Sequence, residues 1–95
     1  MSLRFEWDPK KAAANFTKHG VSCEEALTVF SDPLARIFDD AEHSSQEPRE
    51  VIIGHSAKQR LLLVCFTARE TAIRLFSARQ ATKRERQDYE ENVSS

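Results

Sequence analysis

Ninety-five residues carry 40% apolar and 31% charged side chains, with a formal net charge of −1. A chain of that length supports one modest core, because it buries only about two-thirds of the surface it exposes when unfolded. No apolar run approaches the roughly 20 residues that a membrane span needs. The start, Met1-Ser2-Leu3-Arg4-Phe5-Glu6-Trp7, turns charged too soon for a signal peptide. The expectation is one domain over residues 1–95, in the cytoplasm and off the membrane.

Leu3 to Trp7 alternates apolar and charged residues, the pattern of a half-buried strand. Asp8-Pro9 then reads as an N-cap with proline at the first helical position, and the helix runs from Lys10 to His19. Gly20 supplies its stop. Ser22-Cys23-Glu24-Glu25 matches a capping box, in which Glu25 reaches back to the N-cap amide. Ala26, Val29 and Phe30 continue at helical spacing until Asp32-Pro33 ends this second helix. Leu34 to Phe38 reads as a short strand, Asp39 to Pro48 as an exposed polar loop, and Val51 to Gly54 as part of another strand. Arg60 to Thr67 is apolar enough to be central in a sheet. Ala72 to Arg79 follows after a tight connection at Arg69-Glu70-Thr71. Thr82-Lys83-Arg84-Glu85 is a second capping box, opening a charged helix that reaches about Glu91. The order β-α-α-β-β-β-β-α predicts an α+β fold, with two N-terminal helices and one C-terminal helix packed on an antiparallel sheet.

The small net charge conceals an asymmetry. Between Gly20 and Glu50 eight acids (Glu24, Glu25, Asp32, Asp39, Asp40, Glu42, Glu47, Glu50) face two arginines. From His55 to Arg86 eight bases (Lys58, Arg60, Arg69, Arg74, Arg79, Lys83, Arg84, Arg86) face two glutamates. A basic C-terminal half suits a polyanion without naming one. Cys23 and Cys65 each lie in an apolar pattern and read as small buried hydrophobes. No CxxC or Cys/His grouping has metal-ligand spacing, so neither metal nor cofactor is expected.

Several stretches together resemble the BrnT toxins, also described as DUF497 proteins. They include Phe5-Glu6-Trp7-Asp8-Pro9-Lys10-Lys11-Ala12, Asn15, Lys18-His19-Gly20-Val21-Ser22 and Glu24-Glu25-Ala26. Further matches are Asp32-Pro33, His43-Ser44, Arg49, Ile53-Gly54, Arg60, Ser77-Ala78-Arg79, Arg84-Glu85-Arg86 and Tyr89-Glu90. The resemblance spans nearly the whole chain. It implies a RelE-like ribonuclease that arrests translation by cutting RNA. It also implies neutralisation by BrnA, an antitoxin with a DNA-binding domain, in a heterotetramer of two toxins and two antitoxins. Operator DNA is then reached only through the antitoxin. Two positions depart from the family pattern: Cys23 replaces a usual aromatic residue, and Gln59 a common glycine before Arg60. The first bears on packing, the second on a hairpin turn.

RNA is cleaved without metal when its own 2′-hydroxyl attacks the adjacent phosphorus. The step is assisted by a base, by cations on the phosphate and by an acid for the leaving 5′-oxygen. Arginine suits the cationic task, since its planar fork pairs with phosphate oxygens. Arg60, opening the central strand, and Arg79, ending the next, are the leading candidates, because antiparallel neighbours bring such positions to one rim. Arg74 and Arg79 point to opposite faces if their strand is regular to its end. Arg69 in the turn, with Arg74, Lys83 and Arg84, would grip more distant phosphates, although a solvated helix face over Arg84, Glu85 and Arg86, or contact with the antitoxin, also explains Arg84. His55 near Lys58, and His43 with Glu47 in the acidic loop, are candidate proton carriers. His19 is placed to interact with its helix dipole. The RelE-like resemblance adds Lys58 and Tyr89, the latter equally able to seat the last helix on the sheet. Phe5 and Trp7 could stack on a base, but their alternation with Arg4 and Glu6 favours core packing. The competing readings are a non-catalytic RNA- or partner-binding module and a regulator that acts only through a partner.

Overall fold

A computed structural model describes residues 4–40 and 47–94, so the candidate His43 lies outside the described residues. In chain order the elements are β1 (Arg4–Glu6), α1 (Pro9–His19), α2 (Cys23–Thr28), a 3-10 turn (Val29–Ser31) and β2 (Arg36–Asp39). Then come β3 (Glu50–His55), β4 (Leu61–Ala68), β5 (Ala72–Gln80) and α3 (Lys83–Ser94). The predicted α+β order is present.

Local chemistry explains the helix ends. The Asp8 carboxylate accepts from the amides of Lys10 (2.8 Å) and Lys11 (3.2 Å), and Pro9 opens α1. Gly20 adopts the left-handed conformation (φ 70°) and donates its amide to the Phe16 carbonyl at 2.8 Å. Ser22 caps α2 through the Glu25 amide at 3.1 Å. The expected return bond from Glu25 does not form, because that carboxylate turns into the protein instead. At α3 the box closes in both directions: Thr82 N–H donates to Glu85 Oε1 (2.8 Å) and Glu85 N–H to Thr82 Oγ1 (3.1 Å).

The sheet order is β1-β5-β4-β3-β2. Strands β2 to β5 form the expected antiparallel meander, but β1 joins β5 in parallel, pairing Arg4 with Ala72 and Glu6 with Arg74. The sheet is therefore mixed. Alternation identified β1 as a strand, but three residues carry no signal for direction. Direction is set by the route of the chain through α1 and α2.

One sheet face packs on the N-terminal helices. Ile52, Leu62, Val64, Phe66, Leu75 and Ala78 bury there against Val21, Ala26 and Val29. Each large aliphatic side chain buried this way contributes about 1.5–3 kcal/mol. Gly54 permits the closest approach, since a Cβ there would sit 2.9 Å from both Ala35 Cβ and Asp32 Oδ2. On the other face, α3 covers only Ile53 and Leu61 with Tyr89, flanked by Leu63 and Ala81. Beyond α3, the segment before β3 covers Thr67, whose hydroxyl donates to the Pro48 carbonyl, and the strip between them lines a cleft that is open among the described residues.

Two details shape the open face. The pairing passes from Cys65–Ser77 to Phe66–Leu75, so Phe76 is an extra residue forming a β-bulge. The bulge resets the alternation, putting Arg74 (opposite Thr67) and Arg79 (opposite Leu63) on the same face. The expectation for a regular strand is thereby reversed. The second detail is Asn15, buried in α1 at the edge of β5. Its carboxamide donates to the Ala78 carbonyl (2.9 Å) and the Val21 carbonyl (3.2 Å), and accepts from the Ala78 amide (3.1 Å). Asn15 thus satisfies the strand edge where three-residue β1 has ended, directly beside Arg79.

Candidate active site

The open face forms a cleft of about 540 Å³. Its floor is the row Phe38–Val51–Cys65–Ser77 running across β2, β3, β4 and β5, with Leu63 next to it. Phe38 and Phe76 supply aromatic walls, and Lys11, Arg49 and Arg79 reach the rim from α1, the segment before β3, and β5. Three cations from distant stretches therefore meet around one groove.

Arg79 is held end-on by Glu85, with Nη1 donating to Oε1 at 2.8 Å and Nη2 to Oε2 at 2.9 Å. Nη1 also donates to the Gln80 carbonyl at 3.2 Å. The side edge of the guanidinium, Nε and the second Nη2 proton, has no partner among the described residues. The Arg79 hydrogen bonds, aided by the Thr82 amide, hold the Glu85 carboxyl down at about 2. Glu85 is therefore ionised at neutral pH, an orienting anion and a poor proton acceptor. The same hydrogen bonds, with the carboxylate charge, raise the Arg79 guanidinium further above its ordinary value.

Arg49 lies over the Phe76 ring with its guanidinium carbon 3.9 Å from the centroid, a cation–π stack built on the bulged residue. The Cys65 thiol is 3.6 Å from Asp40 Oδ2. Burial, with the carboxylate beside it, pushes that thiol up to about 11, so it is protonated and unreactive at neutral pH.

The other candidates are distributed elsewhere. Arg74 is on the same face as Arg79, with Nη1 3.9 Å from Glu6 Oε1. Arg69, in the β4–β5 turn, ion-pairs with Glu47 (3.2 Å) and Glu6 (3.7 Å). Lys83 and Arg84 are exposed on the first turn of α3, and Lys58 is exposed in the β3–β4 turn. His55 and Tyr89 meet ring to ring at 5.7 Å on the far side of α3. The His55 amide donates to Asp32 Oδ2 at 2.7 Å, with the ring Nδ1 3.8 Å from the same oxygen. Tyr89 is buried, donates its hydroxyl to the Leu34 carbonyl at 3.2 Å, and has its phenol pushed up by burial. It seats α3 on the sheet.

Arg60 is not beside Arg79. Both lie at the same end of the sheet, but strand parity turns Arg60 to the helical face. There its Nε donates to Glu25 Oε2 at 2.8 Å, one Nη2 bond reaches Glu25 Oε1, and another reaches the Gly20 carbonyl at 2.9 Å. Glu25 is 4% exposed and also accepts from Ser56 Oγ at 2.7 Å. Hydrogen bonds from Arg60 hold its carboxyl below the ordinary value. Arg60 thus neutralises a buried acid.

The aromatic pair Phe5 and Trp7 stays away from the cleft, Phe5 against Phe30 at 5.3 Å and Trp7 against the core. Lys11, Phe38, Arg49 and Phe76 were not singled out as site residues in the sequence. Alternation along β2 puts Phe38 on the face opposite Ile37, but only the bulge and the route of α1 bring the others to it. Among the described residues no group of three or more His, Cys, Asp or Glu side chains gathers as a metal site would need. Nor is any helix among them long and apolar enough to cross a membrane.

Fold and cleft define a small α+β domain that presents clustered arginine and lysine beside the exposed ring of Phe38 and the half-buried ring of Phe76, a surface suited to a single-stranded polyanion. The model of the ribonuclease toxin BrnT of type II toxin–antitoxin systems matches residues 7–85, and the chain belongs to that family. An antitoxin partner follows from that membership. The structure is similar to the crystal structure of the Brucella abortus ribonuclease toxin BrnT, with a TM-score of 0.66 at 22% identity. The match covers 86% of this chain and 100% of that one. No curated protein matches the sequence.

Proposed function

We propose that the open face is the ribonuclease site, and that cleavage proceeds without metal, by attack of the RNA 2′-hydroxyl on the adjacent phosphorus. The observation that carries this reading is Arg79. Glu85 fixes the end-on edge of its guanidinium, the side edge has no partner among the described residues, and Arg79 lines the cleft together with Lys11 and Arg49. A side edge of this kind matches two phosphate oxygens, and prior orientation removes most of the ordering cost when charge builds on the phosphorane. Lys11, at the rim, protonates the leaving 5′-oxygen while the 2′-hydroxyl proton passes to solvent water, leaving a 2′,3′-cyclic phosphate and a 5′-hydroxyl. Arg74, and beyond it Arg69, Lys83 and Arg84, guide the flanking strand. His55, Lys58, Tyr89 and Arg60 take no part at the phosphate in this scheme, because α3 or strand parity separates them from the cleft.

RNA cut in the cytoplasm stops translation, and the fitting antitoxin is of BrnA type, with a DNA-binding domain. It assembles as two toxins with two antitoxins and is the sole route to operator DNA. The RelE-like resemblance supports the same reading.

The test is incubation of antitoxin-free protein with single-stranded RNA in the presence of a divalent-metal chelator. Cleavage should persist there, and Arg79→Ala should slow it by about 10²–10³-fold. Intact RNA with the parent protein, or equal cleavage by Arg79→Ala, overturns the proposal. Salt-sensitive binding without product favours the alternative, a non-catalytic RNA-binding module.

A further inference from the structure

Phe38 is 49% exposed, as are its neighbours Ile37 (54%) and Leu34 (58%) to a similar degree. Exposed apolar residues are ordinary on a protein surface, but the three differ in what they face. Ile37 points, by alternation along β2, to the helical side of the sheet. Phe38 shares the row of Val51, Cys65 and Ser77 and lines the cleft whose rim carries Lys11, Arg49 and Arg79. The second aromatic wall, Phe76, is already stacked by Arg49. Phe38 has no ring or cation stacked on it among the described residues. Strand β2 lies three strand spacings from β5, about 14 Å between backbones. Arg79 and Phe38 line the same cleft from those two strands, with Val51, Leu63 and Cys65 of β3 and β4 on the floor between them. An apolar segment of a protein would meet charge around this ring on several sides, whereas an unpaired nucleotide offers a flat base to the ring and a phosphate to the cations.

We propose that Phe38 is the platform on which a base of the single-stranded RNA stacks, closing the cleft on the side opposite Arg79. This inference rests on reading the open face as the ribonuclease site. Stacking of this kind accepts any base, because each has a π face. The ring therefore holds the nucleotide in place without selecting its sequence.

The experiment is a titration of the full chain with short 2′-O-methyl oligoribonucleotides, which lack the nucleophile and stay intact. Each carries one 2-aminopurine, whose fluorescence falls when it stacks. Wild type should quench the 2-aminopurine fluorescence on binding. Phe38→Leu, apolar but without a π face, should bind about 10- to 100-fold more weakly and lose that quenching, and Phe38→Trp should retain both. Ile37→Ala, on the opposite face, should bind as wild type does. Binding that depends on Arg79 but is unchanged in Phe38→Leu overturns the platform and leaves the site standing. Binding indifferent to both residues overturns the site itself. If Phe38→Leu loses affinity for the antitoxin with RNA affinity intact, the ring belongs to the protein interface and the platform is overturned.

Discussion

Glu25 and Glu85 occupy the same local position, three residues after Ser22 and Thr82 at the start of a helix, and each pairs with an arginine. Their fates differ with the face of the sheet they meet. Glu25 abandons its cap, turns inward and is neutralised by Arg60 beneath the N-terminal helices. Glu85 keeps its cap and braces Arg79 at the lip of the open cleft, where the Arg79 side chain is 41% exposed. One motif thus yields a structural ion pair and a solvent-facing one. A buried pair is hard to break because removing one partner strands a charge away from water, whereas an exposed pair adds little to stability and stays available to a ligand.

The largest expected effect tests the buried member. Arg60→Ala should cost about 3–5 kcal/mol in urea unfolding, by leaving Glu25 buried and unpaired. Arg79→Ala should cost less than about 1 kcal/mol by the same measurement. Comparable losses in the two variants would erase the distinction between the faces.

Asn15→Ala should follow at about 2–3 kcal/mol, since the Ala78 amide and carbonyl are both left without their partner. The same variant should lower RNA cleavage through the slackened end of β5. Full cleavage by a destabilised Asn15→Ala would separate the edge clasp from the site.

Acid should reveal both pairs. The folded carboxyls of Glu25 and Glu85 lie below their ordinary values, Glu85 at about 2. Each therefore contributes stability that is fully present above the unfolded carboxyl value of about 4.3 and declines as pH falls. The Glu85 contribution declines from about pH 4.3 downward and is spent near pH 2, its folded value. In Arg79→Ala the Glu85 resonance should titrate close to the ordinary carboxylate range by NMR. A titration still near 2 would show that Arg79 is not what holds it down.

The smallest effect concerns the turn that carries Arg60. Gln59 has φ 62°, a left-handed conformation that costs a residue with a Cβ. Gln59→Gly should raise stability by about 0.5–1 kcal/mol, read as a higher urea midpoint. A loss instead would mean that the turn is held by more than its backbone geometry. The departure from the family pattern at this position is thus legible as a local strain.

Much of the fold could be read from local signals. Asp8-Pro9, Gly20 and Thr82–Glu85 place helix ends because caps are interactions between neighbours in sequence. The apolar run from Leu61 to Thr67 marks a central strand because burial on both faces leaves no room for polar alternation. The basic character of the C-terminal half was likewise visible, and Arg79 with it.

The capping motif at Ser22, the shared rim for Arg60 and Arg79, and the opposed faces of Arg74 and Arg79 were expectations of regular local geometry. The structure altered each one. Sequence alone determined which residues form helices and strands, and that the chain carries cations suited to phosphate. Tertiary structure decided that β1 runs parallel to β5, that Glu25 goes inward, that one bulged residue at Phe76 sets Arg74 and Arg79 together, and that Lys11 and Arg49 join them. The reason is physical: caps and periodicity act over a few residues. Which arginine is buried against an acid and which is left facing a cleft depends on strand parity, register and the area a helix covers, none of which a local pattern encodes.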